Sequence, residues 1–211
     1  MQFLKINKLL FVRLGKARSH KYVSRKPDGK GRWIYTYSKK SGEDKNAINY
    51  NDMREFGYEK AVEISKDTEK IRNSNIEISK IYNYHGDGIF EKTGSKEGMD
   101  FNDVEKEKTR NSRLLIHNHP SADSFSTKDL HIIFDLDIKE IRAFGMKKMR
   151  SSGFSLKIKK KIPQELRQGI LNSHLFLVRY FKSQEISWPA DKAMLEISGR
   201  YKEYFEYDKP K

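Results

Sequence analysis

The sequence predicts an α+β fold, and three observations carry that prediction. Leu114-Leu115-Ile116 is a continuous apolar run, the pattern of a buried strand. Ile76 to Asn83 and Ile89 to Lys92 flank His85-Gly86-Asp87-Gly88, which reads as two strands closed by a tight turn. Elsewhere, apolar residues recur at helical spacing, first between Asp52 and Arg72 and then twice beyond Pro163.

In chain order, Phe3 to Leu14 has apolar residues interrupted by Lys5, Lys8 and Arg13. It is too short and too charged for a signal-peptide core or a membrane span. A strand or helix packed on the domain is expected there, with a basic segment on a membrane surface as the alternative. His20 to Lys26 and Arg32 to Tyr37 flank Pro27-Asp28-Gly29-Lys30-Gly31, a hairpin signal with its turn residues in place. Lys39 to Asn46 reads as a polar linker. Met53, Phe56, Ala61, Val62, Ile64 and Ile71 then outline an amphipathic helix with Gly57 as its weak point.

Gly94 to Ser112, charged and glycine-containing, reads as a long surface loop. Leu130, Ile133 and Phe134 give a short helix its buried face, and Glu140 to Phe144 and Phe154 to Ile158 read as strands. Pro163 suits the first turn of a helix carrying Leu166, Ile170, Leu171, His174, Leu175, Val178 and Phe181. His174 on that stripe is expected to be packed rather than to bind a ligand. A second helix is expected after Trp188-Pro189, through Met194, Leu195, Ile197, Tyr201 and Phe205. The organisation is thus a basic segment over 1–45, a central domain over 46–160 and C-terminal helices over 161–211.

Charge is unevenly placed. The chain of 211 residues carries a net charge of +14, and thirteen Lys and Arg face only Asp28, Glu43 and Asp44 up to Lys45. Arg25, Lys26, Lys30, Arg32 and Trp33 combine cations with an aromatic ring, a plausible surface for phosphates and stacked bases. A hairpin whose aromatic side packs on a core and whose basic side keeps it in solution explains the same residues. There is no cysteine, so disulfides and thiolate metal sites are ruled out, and histidine and carboxylate remain as strong metal ligands. A reducing, cytoplasmic setting suits that composition. No internal repeat, phosphate-binding glycine loop or nucleophile elbow is present.

The most informative stretch is His117-Asn118-His119-Pro120, followed by Ser126-Thr127-Lys128-Asp129. In a strand alternate side chains share a face, so His117 and His119 project to one side. Pro120 should end the strand, and Ser126 should cap a helix that holds Asp129 in its first turn. Two imidazoles and a carboxylate make a three-ligand set that leaves a fourth position open, as a catalytic zinc site requires. A capping box at Ser126-x-x-Asp129 accounts for those two residues without a metal. An HNH nuclease is a poor match, because its three motif residues lie far apart in sequence.

This pattern resembles the JAB/MPN (JAMM) metalloprotease-like family, and its His-Asn-His-Pro-Ser wording is closest to the RadC-type branch. The resemblance spans about residues 75 to 160, and its Pro120-to-Ser126 loop is one residue shorter than usual. It implies a mixed sheet flanked by helices, with zinc held by His117, His119 and Asp129 and with Ser126 supporting an oxyanion. It also implies a glutamate base at the start of a strand leading into a turn. Glu77 fits that position, whereas Glu91 follows the turn and Glu97 lies in the loop beyond. The implied reaction is hydrolysis of an amide or isopeptide bond in a protein or peptide. A RadC-like nucleic-acid-associated or phage-assembly protein, keeping the fold and metal without peptidase activity, is the alternative.

Overall fold

A computed structural model describes residues 20–27, 33–39, 48–94, 100–119, 123–145 and 153–209, the first two segments as backbone. The chain divides into two compact units, Met1–Ala47 and Ile48–Lys211. In the first, β1 (His20–Pro27) pairs antiparallel with β2 (Trp33–Lys39), from His20 opposite Lys39 to Pro27 opposite Trp33. The register shifts between Tyr22 and Ser24, a β-bulge. Arg25, Lys26 and Trp33 lie on these strands. Lys30, Arg32, the Phe3 to Leu14 segment and Glu97 lie outside the described residues.

The second unit is α+β. Its mixed sheet has the order β4-β3-β5-β6-β7-β8, formed by β3 (Ile78–Tyr82), β4 (Gly88–Thr93), β5 (Leu114–His119), β6 (Glu140–Gly145), β7 (Phe154–Ile158) and β8 (Phe205–Asp208). Among the described neighbours in this sheet, β5 and β6 alone pair in parallel, and parallel neighbours need a crossover. Helix α4 (Thr127–Asp135) supplies it. β3 and β4 close through a turn in which Gly86 takes φ +78°, a conformation glycine enters without a Cβ clash.

Side-chain alternation sorts the sheet into two faces. Leu115 and Ile81 join Leu130, Ile133, Ile141, Leu156 and Phe205 in the larger core. That side is covered by α4, α5 (Gln164–Ser183) and α6 (Pro189–Arg200), through Ile170, Leu171, Met194 and Ile197. Leu114, Ile116, Ile78 and Tyr82 face the other way, against Ile64 and Ile71 of α2 (Tyr58–Arg72). The C-terminal helices therefore complete the same core as the sheet.

Three elements differ from the sequence expectation. The stretch from Asp52 to Arg72 is two helices, α1 (Tyr50–Phe56) and α2, broken at Gly57 with φ +83°. The expected loop from Gly94 to Ser112 contains α3 (Asp103–Thr109), started by a reciprocal capping box between Asn102 and Glu105. Lys92 of β4 holds it in place, bonding Glu105 Oε2 at 2.6 Å and the Asp100 carbonyl at 2.6 Å. Phe205 is not on the last helix, which ends at Arg200; it opens β8, where Phe205 pairs with Ile158. On α5 the buried residues are Ile170, Leu171 and His174, and Leu175 lies off that face at 39% exposed.

Candidate metal centre

β5 is buried along its whole length, and its C-terminal end carries the site. His117 and His119 project from one side, with ring centroids 4.9 Å apart. That side is the α4 side, because the residue two places before His117 is Leu115 of the larger core. Ser126 is the N-cap of α4 and Asp129 its N3 residue, joined in a reciprocal capping box. The capping box and the metal-ligand pattern therefore coexist in the same residues.

Asp129 is held from several directions. Its Oδ2 accepts from the Ser126 backbone N–H at 2.7 Å and from the Ser126 hydroxyl at 2.7 Å. His119 Nε2 lies 2.9 Å from the same oxygen. Oδ1 faces His117 Nε2 at 3.4 Å. One ligand atom from each of His117, His119 and Asp129 lies within 4.8 Å of the others, so the group could hold a metal ion.

The His117 ring tests whether an ion fits. Both of its nitrogens are buried without a hydrogen-bond partner among the described residues. A buried polar group left unmatched costs about 1–3 kcal/mol, and a cation accepting the Nε2 lone pair would remove part of that cost. Burial lowers the His117 pKa to about 4, Asp129 opposing, so the ring is neutral and ready to ligate at neutral pH. Burial also acts against charge on Asp129, but His117, His119 and Ser126 outweigh it and hold the carboxyl well below the usual range. For His119, burial opposes the proton, yet the hydrogen bond and charge of Asp129 raise its pKa.

Glu77 immediately precedes β3. Ser79 pairs with His117, so the same antiparallel register puts Glu77 opposite His119. Alternation places it with Ser79 and Ile81 on the histidine face. It is 8% exposed. Burial raises its pKa; His119 and Lys128 act to lower it and Asp129 to raise it. Glu91 lies farther out on β4, ion-paired with Lys70 at 3.0 Å.

On α5 sits His174, fully buried, with Nδ1 2.9 Å from Thr127 Oγ1 at the start of α4. It is a packed histidine, as its place on an apolar stripe predicts, and it is absent from the ligand group. Burial pulls its pKa down to about 4. The unfolded chain takes up this proton near pH 6.5, the folded protein only near 4. Stability from the neutral ring is therefore whole above about pH 6.5 and is lost as pH falls toward 4. His174→Gln should reduce the stability loss between pH 7 and 4.5 by about 2–3 kcal/mol, read from denaturant unfolding at both pH values.

Sequence reasoning missed two supports of the site. Asp123 accepts from the backbone N–H groups of Ala190 at 2.9 Å and Asp191 at 3.0 Å, capping α6. Tyr207 Oη bonds Ser124 Oγ and Asp191 Oδ1, each at 2.7 Å. The other is Asn118, whose signal was a polar side chain inside a buried strand, which must find partners. Comparison with known proteins finds no matching family model, no similar curated protein and no similar solved structure. Among the described residues no helix is long and apolar enough to cross a membrane.

Proposed function

We propose that this chain is a zinc-dependent hydrolase of the JAB/MPN type, cleaving an amide or isopeptide bond in a protein or peptide substrate. The observation that carries the reading is the buried His117 ring, without a hydrogen-bond partner among the described residues, beside His119 and Asp129. Two imidazoles and one carboxylate suit zinc and leave room for a reacting group. A bound zinc ion would supply a Lewis acid that makes water nucleophilic at neutral pH.

The chain's own residues do the rest. Glu77 accepts the proton of the attacking water and delivers it to the leaving amine, and its raised pKa suits both transfers. Ser126 supports the oxyanion, for which its hydroxyl must exchange the Asp129 bond that it makes in this structure. His119 and Asp129 are held as a pair before any ion arrives.

The test is a hydrolysis screen of zinc-loaded wild type against Glu77→Gln, with metal content measured on both. Glu77→Gln should lose about 10²–10⁴-fold in rate while retaining stoichiometric zinc. Zinc-loaded wild type that cleaves nothing, yet binds DNA or RNA with a steep salt dependence, would overturn the hydrolase reading.

A further inference from the structure

The middle residue of the His-x-His pair turns its back on both histidines. Asn118 shares its side of β5 with Leu114 and Ile116 and is fully buried. Its amide reaches across to the segment that begins β3. Oδ1 accepts from the Ile78 backbone N–H at 2.6 Å, and Nδ2 donates to the Ile76 carbonyl at 2.9 Å. Those two backbone groups bracket Glu77.

The side chain does what the strand ladder does not. Pairing between β3 and β5 ends with Ser79 opposite His117, two residues short of Glu77. On the other flank, the Glu77 carbonyl accepts from the Gly94 N–H at 2.8 Å. Glu77 thus sits on a short piece of backbone fastened to β5 by one amide and to the end of β4 by another. A fastened backbone fixes where a carboxylate begins, and a misplacement of about 1 Å at a reacting group can cost about 10²-fold in rate.

We propose that Asn118 is the positioning residue for Glu77, holding its backbone so that the carboxylate stays on the histidine face. The inference rests on the reading of Glu77 as the base. In it the motif's middle position has a separate job from its histidines: they take the metal and Asn118 sets the base.

The test uses the full chain, zinc-loaded, as wild type, Asn118→Ala, Glu77→Gln and the double variant. Hydrolysis is followed on an internally quenched peptide library, and backbone amide exchange is followed without substrate. Asn118→Ala should lower kcat by about 10²-fold, leave zinc content and KM unchanged, and add nothing to Glu77→Gln in the double variant. The Ile78 amide should exchange faster while β5 and β6 keep their protection. Asn118→Thr, suited to a strand and able to hold one of the two partners, should lose less, and it serves if the alanine variant does not fold.

Losses that multiply in the double variant, or an Ile78 amide as protected as in wild type, would overturn the proposal. Wild type that binds zinc but hydrolyses nothing would overturn the hydrolase reading instead. Asn118 would then keep or lose its role on the exchange result alone.

Discussion

Replacing His117 with alanine should strip stoichiometric zinc from the purified protein. The affinity loss should exceed the roughly 10–100-fold that removing an outer-shell partner costs. Neither buried nitrogen of His117 makes a hydrogen bond among the described residues, so the substitution breaks none. Without metal, the substitution removes an unmatched polar ring and opens a cavity, two effects of opposite sign and similar size. The metal-free variant should therefore melt within a few degrees of metal-free wild type, and the rise in Tm that zinc gives wild type should vanish. Elemental analysis and melting with zinc or chelator check both halves. A wild type whose Tm ignores zinc would reduce Ser126 and Asp129 to a helix cap. Zinc affinity should also fall as pH drops through the raised pKa of His119, because the ion must displace that proton.

The second large effect lies on the opposite face of the sheet. Arg142 of β6 grips Asp52 of α1 through both terminal nitrogens, at 2.7 and 2.5 Å, and Glu140 through Nε at 2.6 Å. Arg142 is 7% exposed, and Asp52 and Glu140 are 2% exposed. Arg142→Met should cost about 3–5 kcal/mol, because it leaves a buried carboxylate without its cation. Glu140 is buffered by Lys157 and Arg113, at 3.7 and 3.6 Å, so Asp52 bears most of the loss. Asp52→Leu combined with Arg142→Met should recover much of the stability, since a fully apolar replacement carries no stranded charge. Denaturant midpoints of the single and double variants decide it; equal destabilisation by both would show that packing, not charge, governs the site.

What could be read from the sequence was whatever depends on local period. His117 and His119 share a face because a strand repeats every two residues, and Ser126 with Asp129 is legible as a cap because a helix start needs acceptors at fixed offsets. Asn102-x-x-Glu105 carries the same kind of signal, but α3 buries only Thr109 and shows no apolar stripe to draw attention to it. Phe205 continues an i, i+4 spacing from Tyr201, which cannot distinguish a longer helix from a chain that reverses. The choice is made by β7, whose Ile158 pairs with Phe205. Asn118 depends on tertiary pairing in the same way. Its partners Ile76 and Ile78 are some forty residues earlier, beyond the reach of any local pattern.

The bonds from Asp123 and Ser124 to Ala190, Asp191 and Tyr207 bear on the order in which the molecule is made. A chain emerging from the ribosome exposes both histidines and Asp129 long before the residues that hold Asp123 and Ser124 exist. Domains fold as units during synthesis, N-terminal parts first, yet here the residues just before the α4 cap gain these bonds when α6 and β8 dock. Assembly of the centre is thereby tied to synthesis of α6 and β8, and a chain released before Tyr207 would carry His117, His119 and Asp129 without the fastening that holds their connecting segment.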